Sequence, residues 1–96
     1  MNYQPGIYII QSIKNGKYYI GSTKNFENRL KAHNNGEVTA TKLLIPWKLK
    51  FFQPCNSIKG ARQLEFGLKK LKRRDIIEGI IKKQKIYGKL LQFTKF

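Results

Sequence analysis

Arg29 and His33 stand four residues apart, so on a helix a guanidinium and an imidazole project side by side. The guanidinium fork suits bidentate capture of a phosphate, and the imidazole titrates near neutrality and can take a proton. Upstream, the tripeptides Gly6-Ile7-Tyr8 and Tyr19-Ile20-Gly21 supply two phenols, Tyr8 and Tyr19. Downstream stands Glu65, one of five acidic residues, set among Arg62, Lys69 and Lys70. One carboxylate suffices for a single Mg²⁺ or Mn²⁺ ion, which keeps several waters and takes its other ligands from substrate phosphate. Together these groups suit the cleavage of a phosphodiester. A free phenol, with a pKa of about 10, is a poor base unless a neighbouring cation such as Arg29, Lys24 or a metal depresses it. Each residue also has a purely structural reading. Glu65 can pair with basic neighbours on its helix, Arg29 can be a solvated cation, His33 can sit at a helix end, and the tyrosines can be half-buried sheet aromatics, as Tyr3 and Tyr18 are read here.

The elements that must position these groups follow from local pattern. Residues 6–13 and 17–22 are β-branched and aromatic, and Asn15-Gly16 between them suits a type I′ hairpin turn. With a two-residue turn, Lys14 pairs with Lys17, Ser12 with Tyr19, Ile10 with Gly21 and Tyr8 with Thr23. Tyr8 and Tyr19 then share a face but lie on the order of 13 Å apart at 3.3 Å per residue, too far to touch one atom. Gly21 is read as a strand-end position that backbone or substrate can approach closely. A helix is expected from about Asn25 to Asn34, capped by Thr23 or Asn25, with Phe26 and Leu30 inward and Asn35-Gly36 as its stop. Residues 36–46 have no period and read as a loop able to close over a ligand. Trp47 to Gln53 alternates apolar and basic residues as a third strand. Ser57 caps a second helix running to about Lys72, with Ala61, Leu64, Leu68 and Leu71 as its buried stripe. Gly60 and Gly67 weaken that helix by roughly 1 kcal/mol each, so it depends on packing. Asp75 with Glu78 resembles a capping box for a third helix, with Ile76, Ile77, Ile80 and Ile81 inward and Tyr87-Gly88 at its end. The fold class is α+β, a three-stranded antiparallel sheet flanked by about three helices, with one domain over 1–86 and a tail over 87–96.

Charge narrows the partner. Twenty Lys and Arg against five Asp and Glu give a net charge of +15, a self-repulsion that a polyphosphate partner would relieve. Nucleic acid is favoured over a membrane surface because the basic residues recur along the whole chain instead of on one amphipathic segment. No apolar run is long enough to span a bilayer, and Met1-Asn2-Tyr3-Gln4-Pro5 lacks the features of a signal peptide, so a cytoplasmic location is expected. The single cysteine, Cys55, excludes an internal disulfide and a thiolate zinc cluster.

The two tripeptides, the run from Gly21-Ser22-Thr23 through Arg29-Leu30 to His33, the Pro46-Trp47-Lys48-Leu49 strand and the helix bearing Ala61, Glu65 and Leu68-Lys69 occur in the order of the GIY-YIG nuclease superfamily, which the chain resembles over about residues 5–85. Among its members it looks most like the small stand-alone bacterial type, related to the catalytic domains of homing endonucleases and of the excision-repair incision subunit. The resemblance implies hydrolysis of a DNA phosphodiester with one Mg²⁺ or Mn²⁺ bound by Glu65. It implies that Tyr8 activates or orients the water, Tyr19 contacts the phosphate or orders the site, Arg29 holds the phosphate and His33 takes a proton. Lys24, Arg29, Lys42, Trp47 and Lys69 are expected to touch DNA, Trp47 or Phe52 by stacking on bases. Many relatives place an asparagine late in the domain, and none follows Asn56 here.

Two functions are compatible with these residues. One is an endonuclease, directed by DNA structure in repair or recombination, with a protein partner or a second copy of the chain for targeting. The other is a nucleic-acid-binding module that keeps the scaffold without turnover. A basic ribosome-associated protein explains the charge but not the motifs.

Overall fold

The computed structural model describes residues 3–86. Strands β1 (Gly6–Ser12) and β2 (Tyr18–Thr23) form an antiparallel hairpin, and β3 (Trp47–Pro54) pairs with the opposite side of β1, giving the sheet order β2-β1-β3. Helix α1 (Phe26–Asn34) follows β2, while α2 (Ile58–Leu71) and α3 (Arg74–Lys83) follow β3. The expected α+β class, three-stranded sheet and three α-helices are all present, with a 3₁₀ turn at Lys42–Leu44 added. The 87–96 tail and the expected helix end at Tyr87-Gly88 lie outside the described residues.

The hairpin turn differs from the expected one. Ser12 N–H donates to the Lys17 carbonyl (2.8 Å) and Gly16 N–H to the Ser12 carbonyl (2.9 Å), so residues 13–16 form the loop. A type I′ turn needs positive φ at both central residues, whereas here Gly16 alone of the pair has it, at 79°. The Ser12 hydroxyl stabilises the wider loop by accepting from the Lys14 and Asn15 amides (3.1 and 3.2 Å). The register shifts by two residues, placing Tyr8 opposite Gly21 and Ile10 opposite Tyr19. Tyr8 and Tyr19 are therefore separated by two residues, about 7 Å along the strand at 3.3 Å per residue, and not by four.

A second irregularity lies in β3. Ile9 pairs with Phe51 but Ile10 with Leu49, so Lys50 is an extra residue that bulges the strand. Because side chains alternate between faces, the bulge reverses the alternation. Phe51 joins the core on one face, while Phe52 and Trp47 both pack on the other.

The two faces are covered differently. On one, Ile7, Ile9 and Phe51 meet Ala61, Leu64 and Leu68 of α2 and Ile77 and Ile80 of α3. On the other, Tyr8, Ile10 and Trp47 meet Phe26 and Leu30 of α1 and Leu44 and Ile45 of the loop. Ser57 caps α2 as expected, accepting from the Gly60 amide, and the buried stripe includes Gly60 and Gly67, whose weak propensity the packing offsets. Leu71, expected in the buried stripe, is instead left 37 % exposed at the helix end. At the start of α3 no side chain caps the helix. Asp75 and Glu78 instead accept from Arg73 and Arg74, whose guanidinium groups compete successfully for the carboxylates. Helix α3 ends at Lys83, with Gln84 in the left-handed region. Tyr3, read as a sheet aromatic, precedes β1 and is 67 % exposed.

The 36–46 segment is fastened down, contrary to its reading as a closing loop. Ser12 Oγ donates to the Leu44 carbonyl (2.7 Å), Ile13 N–H to the Pro46 carbonyl (2.9 Å), and Thr41 within the segment is itself buried.

Candidate active site

Tyr8 enters the site from the centre of the sheet, its ring tilted against Phe26 with centroids 5.5 Å apart. Directly across the ladder stands Gly21, and a methyl group there would collide with the Tyr8 hydroxyl and ring. The missing side chain at Gly21 thus makes room for the phenol of Tyr8, an internal use of the close approach expected at that position.

Asn25 starts α1 by accepting from the Asn28 amide, and the 3.6-residue turn then delivers Arg29 and His33 to the same phenol. Tyr8 Oη lies 2.8 Å from His33 Nε2 and receives Arg29 Nε–H at 3.4 Å. On the far side of the imidazole, Nδ1 is 2.7 Å from Thr41 Oγ1, whose own proton points to the Val38 carbonyl (3.4 Å). This arrangement assigns the protons. Arginine can only donate, so Tyr8 accepts from Arg29 and gives its proton to Nε2; Thr41 gives its proton to Val38 and accepts from Nδ1–H. The result is a directed chain, Arg29 to Tyr8 to His33 to Thr41 to Val38.

Burial sets the protonation states along this chain. His33 is fully buried, and desolvation, helped by the Arg29 charge, lowers its pKa to about 4, so it is neutral with Nε2 open as an acceptor. Tyr8 is 0 % exposed and its pKa is pushed up to about 12, burial outweighing the hydrogen bond and charge of Arg29. The depression that a lone phenolate base requires is not present; the phenol is protonated and coupled to a neutral imidazole. The Tyr8 hydrogen bond in turn raises the pKa of Arg29, which is firmly cationic.

Glu65 reaches the same region around the free edge of β2. Ser22 alternates with Gly21 and faces α2, where its hydroxyl donates to Glu65 Oε1 at 2.5 Å. One turn later on α2, Lys69 Nζ donates to Oε2 at 2.6 Å and sits 5.3 Å from the Tyr19 ring centroid. Tyr19 completes the bridge from the opposite face, its ring edge-on to His33 (5.2 Å) and to Trp47 (6.3 Å). The edge strand is therefore straddled by Tyr8, Tyr19, Arg29 and His33 on one side and by Ser22, Glu65 and Lys69 on the other. Glu65 takes its partners from Ser22 and Lys69, without a late asparagine.

The donor set suits a hard divalent cation that retains most of its waters. Among the described residues no group of three His, Cys, Asp or Glu side chains comes together. Glu65 is a half-buried oxygen donor that already holds one cation, the Lys69 ammonium, which a metal ion would displace.

All five expected catalytic residues meet at this edge, along with Lys69. Lys24 and Lys42 are exposed on the segments flanking α1. Trp47 is a correction: it is 4 % exposed, its indole N–H donates to the Thr41 carbonyl (2.9 Å), and its ring buttresses Tyr19. No face is open for a base. Phe52 likewise packs against Phe26 and the α1 side of the core. Three supporting residues escaped the reading of the sequence. Ser22 lay within the quoted motif but had no role there. Thr41 sits in a segment without a period, and Asn34, which clamps the Trp47 backbone through both its amide atoms (2.7 and 3.2 Å), looked like a helix end.

With this geometry in view, comparison with known proteins is direct. Residues 4–85 match the GIY-YIG catalytic domain. Similar chains include a UPF0213 protein of Clostridium perfringens, 37% identical over 84 residues that make up 86% of each chain. A UPF0213 protein of Bacillus licheniformis is 35% identical over 69 residues, 71% of each chain, and one of Bacillus cereus is 31% identical over 68 residues, 70% of each. No solved structure matches the chain. Among the described residues no helix is long and apolar enough to cross a membrane. The tripeptides that carry Tyr8 and Tyr19, the α1 pair that joins them and a match spanning nearly every described residue lead to one assignment: the chain belongs to the GIY-YIG catalytic domain family, alongside these small bacterial proteins.

Proposed function

We propose that the protein is a divalent-metal-dependent endonuclease that hydrolyses DNA phosphodiester bonds, directed by DNA structure in repair or recombination. The observation that carries this reading is the convergence on one strand edge of a cation fork, a phenol–imidazole proton chain and a single carboxylate. The net charge of +15 supports a polyanionic substrate.

The Arg29 guanidinium binds the scissile phosphate, leaving its long 3.4 Å contact with Tyr8 and opening the buried phenol to a water molecule. Tyr8 Oη then takes a proton from that water while its own proton passes to His33 Nε2, 2.8 Å away. With its low pKa, His33 holds the proton only transiently and returns it to Tyr8 Oη, while the proton that Tyr8 took from the water goes on to the leaving 3′-oxygen or to solvent. Thr41 fixes the imidazole tautomer that makes the transfer possible. Tyr19 and Lys69 fill the gap between this chain and Glu65, which would hold Mg²⁺ or Mn²⁺ in place of the Lys69 ammonium. A bound cation of this kind polarises the phosphoryl oxygens and stabilises the leaving 3′-oxygen.

The test is cleavage of plain, flapped and branched duplexes by the full chain with Mg²⁺ or Mn²⁺. Arg29→Ala and Glu65→Ala are expected to lower the rate by about 10²–10³-fold or more, the loss typical of one transition-state contact. No cleavage by the wild type, or cleavage unchanged in Glu65→Ala, overturns the reading. A second reading, a nucleic-acid-binding module without turnover, is favoured by the sealed, protonated Tyr8 and by the Lys69 ammonium on the carboxylate. It expects steeply salt-dependent binding that persists in Glu65→Ala and needs no metal.

A further inference from the structure

Beyond Tyr19 and Lys69, the free edge of β2 runs into a cavity of about 370 Å³ between that strand and the α2–α3 junction. Tyr19 and Lys69 line both the cavity and the active site, so the two are continuous. Its apolar floor is Ile20, Leu68 and Ile77, and its exposed rim carries Lys17, Lys72 and Arg74. The volume is at the small end of ligand sites, roughly 300–1,000 Å³, too small for a duplex and suited to one nucleotide.

Two features give the rim a direction. The Arg74 guanidinium lies over the Tyr18 ring, 4.6 Å from its centroid. It is held there by donating to the Gly16 carbonyl (3.3 Å) and to Glu78 (3.2 Å), yet its side chain stays 57 % exposed. A flat cation stacked on a phenol and fixed at both ends is a platform for a nucleobase. Lys72 holds the turn between α2 and α3 in the left-handed region, φ 52°, where glycine is the default. A lysine at that turn adds a charge to the rim, and neither Lys72 nor Lys17 takes part in an ion pair among the described residues.

We propose that this cavity receives one unpaired nucleotide of the strand being cut, its base stacked on the Arg74–Tyr18 platform and its phosphate held by Lys17 and Lys72. The inference rests on the nuclease reading of the adjacent site and adds to it a means of selecting flapped or branched DNA. A paired duplex cannot enter the cavity, so discrimination follows from size and stacking.

Fluorescence anisotropy in EDTA, with a labelled blunt duplex and the same duplex bearing a short single-stranded flap, separates binding from cleavage. Wild type is expected to bind the flapped substrate about tenfold more tightly, the scale of one stacked base. Lys17→Ala combined with Lys72→Gly should erase that preference while changing duplex affinity far less. Lys72→Gly suits the turn, and circular dichroism confirms the fold. Arg74→Ala should erase the preference through loss of the platform. Equal weakening of both substrates by the double variant would mean that the rim serves a paired backbone, and it overturns the proposal, as does a wild type without flap preference. A parallel cleavage assay keeps the two readings apart. Flap preference without cleavage sinks the nuclease reading and leaves this pocket standing, whereas cleavage without flap preference sinks the pocket alone.

Discussion

The two faces of the sheet bury side chains of opposite character. Against α2 and α3 the core is Ile7, Ile9, Phe51, Leu64, Leu68, Ile77 and Ile80, joined by Ala61, Ile86 and Cys55, with no buried polar side chain among the described residues except the thiol. Against α1 the strands bury Tyr8, Ile10 and Trp47, and the three buried polar side chains among the described residues, Ser12, His33 and Thr41, all lie on this side. Apolar packing is non-directional, so the first face can stabilise the fold without defining any proton's position. Hydrogen bonds are directional, and a buried polar group must find its partner. Among the described residues no buried side-chain nitrogen or oxygen lacks one. The proton chain lies where geometry is most tightly specified, and the apolar core where it is least demanding.

Leu64→Ala should show this division at its largest. Leu64 is fully buried between α2 and the sheet, and truncation there is expected to lower stability by about 2–5 kcal/mol in chemical denaturation. Activity per folded molecule should change little, because Leu64 touches none of the proton chain. A large loss of activity in a folded Leu64→Ala protein would show that the two faces are coupled.

Thr41→Val reverses the pattern with a smaller stability effect. Shape is nearly kept, but the His33 Nδ1–H loses its acceptor in a buried site, an expected loss of about 1–3 kcal/mol. The imidazole is also freed to change tautomer, so activity should fall more than unfolding explains. The chain has one histidine, so imidazole nitrogen shifts in the NMR spectrum report His33 alone. The wild type should show the Nδ1–H form and Thr41→Val a mixture; the Nδ1–H form retained in the variant would remove Thr41 from its positioning role, and Thr41→Ser should restore it.

What could be read from the sequence divides along physical lines. Local signals were legible: the Asn25 and Ser57 caps, the order of strands and helices, and the one-turn spacing of Arg29 and His33 depend on near neighbours. The separation of Tyr8 and Tyr19 was not, because the Ser12 hydroxyl bonds into the turn and moves the register by two residues. Trp47 was misread as a base-stacking residue because its partners, Asn34, Thr41 and Tyr19, come from other segments of the chain that close around it only in the fold. Ser22 and Glu65 meet only because α2 packs on the face opposite Tyr19, so their pairing appears once helix and sheet are docked. The pKa of Tyr8 follows the same logic. Arg29 beside it suggested a depressed phenol, but burial, invisible in a motif, wins and raises it.

The subtlest difference between the faces is their response to acid. His33 has a pKa of about 4 in the fold, against 6.5 for an unperturbed imidazole. Between those values the unfolded chain binds a proton that the folded chain refuses, so stability falls as pH drops from about 6.5 to 4. The slope is at most about 1.4 kcal/mol per pH unit, and it ends below pH 4, where both states are protonated. Above 6.5 the group contributes no pH dependence. His33→Gln removes the titration, so the difference between wild-type and variant denaturation curves across that window isolates it from every other group. On the α2–α3 face, burial raises the Cys55 thiol, moving it further from this window. Parallel curves for the two proteins would mean that His33 is not held neutral, and the proton chain from Tyr8 would lose its acceptor.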